Sequence, residues 1–247
     1  MVPVTSAFRR ALANDNRAYA ASLAFTLVDN TQFTVTNEDI WENGLTIEDA
    51  VSNDNVFEIG AAIINQCTIN LMNLTGTYDA YDFDNARVIV TLGLEDLDNG
   101  SDEYFVKGTF FVDDAEYNGS LIKLTCLDAM AKFDKPYVPL SLFPLTLGAI
   151  VRDCCTQCGV TLANNSQQFP HYDFVVQNAP SGESTTYRQV ISWAAQIAGC
   201  FARINRNGQL EIKWYDFDTL ENVAADIDGG TFSPWNTGAV ADGGSFN

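Results

Sequence analysis

The sequence predicts a mainly β protein with an α+β part: an antiparallel β-barrel domain followed by a smaller α+β domain. Three observations carry this. Apolar residues alternate with a period of two across most of residues 22–126. The period then changes to that of a helix after Pro136 and Pro139. Turn dipeptides such as Asp29-Asn30, Asn118-Gly119 and Asn207-Gly208 fall between the apolar runs, where their tolerance of positive φ suits hairpin turns.

Ser6 to Ala20 reads as a short N-terminal helical arm of mixed polarity, with Phe8, Ala11, Leu12 and Tyr19 as its sparse apolar positions. From Ser22 the pattern becomes that of a strand. Leu23, Phe25 and Leu27 alternate with smaller neighbours, Asp29-Asn30 turns the chain, and Phe33 and Val35 resume the alternation, which predicts a hairpin. Ile63, Cys67, Ile69 and Leu71 share one strand face, and Ala86, Val88, Val90, Leu92 and Leu94 share another, with a loop from Gly76 to Asp82 between them. Tyr104–Val112 and Leu121–Cys126 are expected to pair around Asn118-Gly119. Several strands at this spacing with little helix between them indicate a barrel or sandwich.

Leu147, Ile150, Val151, Cys154, Cys155 and Cys158 fall on one helical face, and Gly159 is placed to end that helix. Thr186-Tyr187-Arg188-Gln189 has the capping-box pattern, followed by the stripe Tyr187, Val190, Ile191, Ala194, Ile197, Ala198 and the terminator Gly199. A hairpin of Phe201–Asn205 and Gln209–Tyr215 completes this part. The expected organisation is a helical arm at 1–20, a barrel domain at 21–135, an α+β domain at 136–215 and a Gly/Asp-rich tail at 216–247. In that tail Asp228-Gly229-Gly230-Thr231-Phe232 returns as Asp242-Gly243-Gly244-Ser245-Phe246. The chain stops one residue after the second copy, and the expectation drawn from this is a truncated piece of a longer protein.

The 247 residues are 47% hydrophobic and 12% aromatic, enough for a packed core. There are 13 basic and 32 acidic residues, for a net charge of −19 spread along the chain. Such a surface repels phosphate, so sequence-specific nucleic-acid binding is not expected. No apolar stretch reaches the ~18 residues of a membrane helix, and no secretion signal precedes the first strand, so neither membrane insertion nor disulfides are expected.

Each chemistry-bearing motif has a plainer reading. Cys154, Cys155 and Cys158 contain a CxxC, yet they continue the apolar face of a helix; zinc needs four ligands, and the lone histidine, His171, sits in a separate loop. Glu95, Asp96, Asp98, Asn99, Gly100, Asp102 and Glu103 crowd one loop, but an EF-hand counted from Asp96 would place Ser101 and Lys107 where glycine and glutamate are required. That loop reads as a solvated turn. No G-x-S-x-G elbow surrounds a serine, and Gly93, Gly100 and Gly108 are not followed by Gly-Lys-Ser/Thr. No catalytic, cofactor-binding or metal-ligating residue is therefore assigned, and no cofactor is expected.

Phe57-Glu58-Ile59-Gly60-Ala61-Ala62 and Thr68-Ile69-Asn70-Leu71-Met72-Asn73 resemble the opening of tail hub proteins from prophages of Gram-positive bacteria. Gly108-Thr109-Phe110-Phe111-Val112, Leu124-Thr125-Cys126-Leu127-Asp128-Ala129-Met130 and Lys132-Phe133-Asp134 continue the resemblance in the same order. Pro144-Leu145-Thr146-Leu147, Tyr187-Arg188-Gln189-Val190-Ile191 and Gly199-Cys200-Phe201-Ala202-Arg203-Ile204 fit that family's second domain. The resemblance covers about residues 20–215, with its weight in order and spacing.

It implies a non-enzymatic virion component, assembled in the bacterial cytoplasm, that self-associates into a ring continuing the tail tube and contacts other tube and baseplate proteins. Family hubs usually carry two related barrels per chain and form trimers. One barrel is evident here, which departs from that pattern. An acidic lumen wall suits a tube that must pass DNA without gripping it. Two rivals are a carbohydrate-binding adhesion module and a cell-wall hydrolase. The first would use Trp41 and Trp235, since Trp193 and Trp214 are expected in the core; the second would have His171 as its only conventional base.

Overall fold

The alternation that begins near Ser22 belongs to a seven-stranded, wholly antiparallel sheet. The computed structural model describes residues 4–14, 18–52, 58–97, 100–163, 169–180 and 184–214. The tail at 216–247, with its repeat and Trp235, lies outside the described residues, as do Phe57, Asp98, Asn99 and Tyr215. The chain opens with α1 (Ser6–Leu12), then β1 (Ala18–Thr26), β2 (Gln32–Thr36), β3 (Ile40–Glu48), β4 (Gln66–Met72), β5 (Arg87–Glu95), β6 (Glu103–Asn118) and β7 (Leu121–Asp128).

Strand order across the sheet is β2-β1-β5-β6-β7-β4-β3. The two outermost strands are consecutive in the chain, joined only by a 3-10 turn at Asn37–Asp39. In a flat sheet of seven strands they would stand about 29 Å apart, whereas the link from Thr36 to Ile40 reaches at most about 15 Å. The sheet is therefore rolled. Strand β6 makes the bend: its first half pairs with β5 and its second with β7, the two ladders overlapping only at Phe110 and Phe111, with register shifts at 90/91 and 112/114. Such bulges raise local twist and bend a strand.

The rolled face encloses one core to which the strands contribute alternate residues: Leu23 and Phe25, Val35, Ile69 and Leu71, Val88 and Val90, Val112, Ile122 and Leu124. The loop between β4 and β5 adds Tyr78 and Phe83 to that core. It is held by Asn73, whose Oδ1 accepts from Tyr78 N–H at 3.0 Å and whose Nδ2 donates to Asp79 at 2.5 Å. Among the described residues no ladder joins β2 to β3, so the expected closed barrel is corrected to a rolled sheet with one open seam.

Helix α1 is shorter than the arm expected at 1–20. Residues 18–20 already lie in β1, paired to β5 through Ala18↔Glu95 and Ala20↔Gly93. Phe8 packs on Leu94, Leu97 and Phe105. The β1–β2 turn is as expected: Asn30 has φ 70°, and Asp29 Oδ1 accepts from Thr31 N–H at 2.8 Å. That bond holds the Asp29 carboxyl below its ordinary pKa. The β6–β7 turn is Gly119-Ser120, one residue beyond the dipeptide expected, with Gly119 at φ 63°.

The second part contains the two-residue strands β8 (Leu145–Thr146) and β9 (Val175–Val176), helices α2 (Leu147–Cys158) and α3 (Tyr187–Ala198), and the hairpin β10 (Phe201–Ile204) and β11 (Leu210–Lys213). Thr146 and Thr186 cap the helices, the latter in a full capping box, and Gly159 and Gly199 end them at φ 64° and 68°. Their apolar stripes meet the hairpin in a second core, joined from the sheet side by Ala62, Ala129, Met130 and Phe133. Ala62 forms a parallel bridge with Ala202, and Gly60 N–H donates to the Cys200 carbonyl at 2.7 Å.

Gly148, in the first turn of α2, lies against the ring of Tyr172, which would stand 2.1–2.5 Å from an added Cβ. Tyr172 is itself fixed by Phe169 and by a hydrogen bond from Arg152. Gly148→Ala is expected to lower stability by about 1–3 kcal/mol through overpacking, read as a lower thermal midpoint.

Candidate functional site

The cysteines of α2 are where the helical register puts them. Cys154, Cys155 and Cys158 are buried free thiols in the second core, and burial pushes all three thiols up, Cys155 to about 12. Cys67 and Cys126 face each other across β4 and β7 in the first core, and burial raises both thiols in turn, Cys67 to about 12. These are thiols held in their neutral form, unlike the thiolates that bind metal or attack substrate. Among the described residues no three His, Cys, Asp or Glu side chains gather into a metal-binding group.

His171 stands exposed at φ 57° in a turn where its carbonyl accepts from Phe174 N–H at 2.9 Å. The acidic loop after β5 is a turn in which Leu97 N–H bonds Ser101 O at 3.0 Å and Asp96 N–H bonds Asp102 Oδ1 at 3.1 Å.

Surface clefts of about 240, 470 and 400 Å³ are among those formed by the described residues, and His171 lines none of these. The first lies where β6 meets the β10–β11 hairpin. Thr109 Oγ1 donates to the Arg206 carbonyl at 3.2 Å there, and Lys107 pairs with Asp49 at 2.6 Å. Its floor is Asp128, the last residue of β7, only 4% exposed.

Asp128 Oδ1 accepts from Met130 N–H at 2.9 Å and so caps the 3-10 turn Ala129–Phe133. Its other oxygen is buried and meets no donor in hydrogen-bonding geometry. Burial raises this carboxyl to about 7, against the opposing pull of the Met130 and Asn65 groups. Asp153 Oδ2 is likewise buried without a partner, but among the described residues Asp128 is the more deeply buried of the two carboxyls. No histidine lines its cleft, and sequence reasoning gave no sign of Asp128, because Asn65 and Asp128 come together only beside the β4–β7 pairing.

The tryptophans differ from expectation. Trp193 and Trp214, expected in the core, are 39% and 49% exposed, and Trp41 on β3 is half-exposed. Trp193 lies outside the stripe that α3 buries, and Trp214 follows the end of β11, its ring against Gly199. They stand on separate elements, with no shared aromatic platform described. A different group, unseen in the sequence, comes together at the 400 Å³ cleft. There Lys132 Nζ sits 3.5 Å from the centre of the Phe111 ring, with Asp113 and Asp128 also lining the cleft.

No protein-family profile and no curated protein matches the sequence. Solved structures do. The tail protein from Neisseria meningitidis MC58 superposes with a TM-score of 0.52 at 11% identity, over 81% of this chain and 52% of that one. A chain of the Francisella PdpA-VgrG complex superposes at 0.51 and 10% identity, over 87% and 35%. The 43 kDa tail protein of prophage MuSo2 from Shewanella oneidensis matches more loosely, at 0.47 and 14%, over 78% and 54%. The chain thus spans about half the length of the tail proteins it matches. The rolled sheet with its appended helices and hairpin is the fold of a tail protein.

Proposed function

We propose that this chain is a structural, non-enzymatic component of a bacteriophage or prophage tail tip, part of the hub ring that continues the tail tube. The observation that supports it most is the fold shared with the Neisseria tail protein over four-fifths of the chain. The filled interior agrees: Tyr78 and Phe83 occupy the core of the rolled sheet, so any conduit would lie outside the single chain, bounded by several copies. The open seam between β2 and β3 corresponds, in this reading, to a barrel closed by contacts within the assembled ring.

On this reading the sheet and the helix–hairpin part, each with its own core, act as a tube-like domain at 21–135 and an adaptor at 136–215. The ring would be trimeric in the full-length hub, in contact with other tube and baseplate proteins in the virion. Disruption of the coding sequence in the source lysogen is expected to yield particles without complete tails, restored by the gene in trans. Complete tails in its absence, seen by electron microscopy, would remove the proposal.

A further inference from the structure

The two cores of the molecule meet at Asp128. Leu124 and Cys126 of β7 belong to the sheet core, whereas Ala129, Met130 and Phe133 of the following 3-10 turn belong to the helix–hairpin core. Asp128 stands between them, 4% exposed, and ties three segments together. Its N–H donates to the Asn65 carbonyl at 2.9 Å, its Oδ1 accepts from Met130 N–H at 2.9 Å, and Asn65 Oδ1 in turn accepts from Ala50 N–H at 2.8 Å. It lines both the 240 Å³ cleft at the β10–β11 hairpin and the 400 Å³ cleft beside Phe111.

Its Oδ2 is buried without a partner, a setting that accepts a neutral carboxyl far more readily than a charged one. The charged groups lining the two clefts come from every element packed around it. Asp49, after β3, opposes a charge on Asp128 and is paired with Lys107 of β6; Arg203 of β10 is paired with Glu211 of β11. Arg206 of the β10–β11 turn, Asp113 of β6 and Lys132 of the 3-10 turn complete the set. Among the described residues none of these forms an ion pair with Asp128. A charge formed there can be hydrated only if the contacts over it part. Those that hold the hairpin to its neighbours are slight: Thr109 Oγ1 to the Arg206 carbonyl at 3.2 Å, Ala202 N–H to the Ala61 carbonyl at 2.8 Å, and Gly60 N–H to the Cys200 carbonyl at 2.7 Å.

We infer that Asp128 is a proton-operated clasp: with a proton on its carboxyl the helix–hairpin part seats on the sheet, and with the proton gone that seat loosens. The loosened state hydrates the carboxylate, while the ladders of the sheet stay intact. Burial holds the seated carboxyl at about 7, against 3.8 for the free group. The seated form therefore keeps a proton that the loosened form releases, so the seat weakens as pH rises from about 4 to 7 and then levels off.

The six buried free cysteines report which core opens. Cys67 and Cys126 lie in the sheet core; Cys154, Cys155, Cys158 and Cys200 lie in the helix–hairpin core. The test is pulsed labelling of the whole chain with a dipyridyl disulfide, which reacts with thiols at acid and neutral pH, read site by site by mass spectrometry. Wild type and Asp128→Asn are compared at the same pH, which cancels the intrinsic rise of thiol reactivity. The expected result is Cys200 labelled at least roughly tenfold faster in the wild type than in Asp128→Asn at pH 8, and about equally fast at pH 4. In the wild type at pH 8, Cys200 should react before Cys67 and Cys126. Asp49→Asn, which removes the like charge facing Asp128 and frees Lys107, should slow Cys200 labelling at pH 8 and keeps the test open should Asp128→Asn not fold. Equal Cys200 rates in wild type and variants at pH 8 overturn the inference. So does simultaneous labelling of all six thiols, which would mean that the whole chain unfolds rather than one seat.

Discussion

Phe83→Ala is expected to lower stability by about 3–5 kcal/mol, the range for deleting a fully buried aromatic side chain. Phe83 is 0% exposed, although it sits in a loop. Its ring meets Phe25 at 5.5 Å and Phe33 at 6.0 Å, both edge-on, while Phe33 stacks on Tyr81 at 4.4 Å. The loop thus fills the interior of the rolled sheet and ties β1 and β2 to the rest of its core. Given a typical total of about 5–15 kcal/mol, the loss is a large share. In urea unfolding the midpoint should fall with an unchanged slope. An unmoved midpoint would mean that the loop does not plug the sheet.

Asp128→Asn is expected to act in the opposite direction, and only at the upper end of the pH range. Burial holds the native carboxyl at about 7, against 3.8 for the free group. Between those values the native state keeps a proton that the unfolded chain releases, so unfolding free energy falls as pH rises from about 4 to 7 and then levels off. Asparagine removes this titration while keeping Oδ1 as the cap on Met130. The variant should therefore match the wild type near pH 4 and exceed it at pH 8 by an amount on the order of 2–4 kcal/mol. Urea unfolding at both pH values measures this. A variant less stable at pH 8 would mean that the charged carboxylate has a stabilising partner in the native protein.

Local signals were legible in the sequence wherever a residue's role was decided by near neighbours. The bounds of α2 and α3 match their reading, because Thr186 and Gln189 form the capping box and Gly159 and Gly199 end the helices within the same short stretch, although Trp193 and Ile197 of α3 are exposed. The β1–β2 hairpin was legible for the same reason, through Asn30.

What failed depends on distant partners. Ala18 to Ala20 read as helix because an alanine-rich stretch has no alternation; pairing with Gly93, Leu94 and Glu95 makes it strand. Strand β3 was not foreseen, since Trp41, Glu42, Asn43 and Gly44 interrupt its period and the register slips between Ile40 and Leu45. The last third of β6 was missed because Asp113, Asp114 and Glu116 break the apolar pattern, while the ladder to β7 holds them in extended backbone. Neither polar feature of the molecule could be read. Asp128 is isolated by burial, and Lys132 meets the Phe111 ring only through the packing of the turn after β7 on β6.

A cryo-electron microscopy reconstruction of the tail tip from the source lysogen tests the central claim most directly. The account predicts density for the rolled sheet and its two helices repeated around the tail axis, continuous with the tube. A tip whose density is fully explained by other chains, with this one absent, would contradict it.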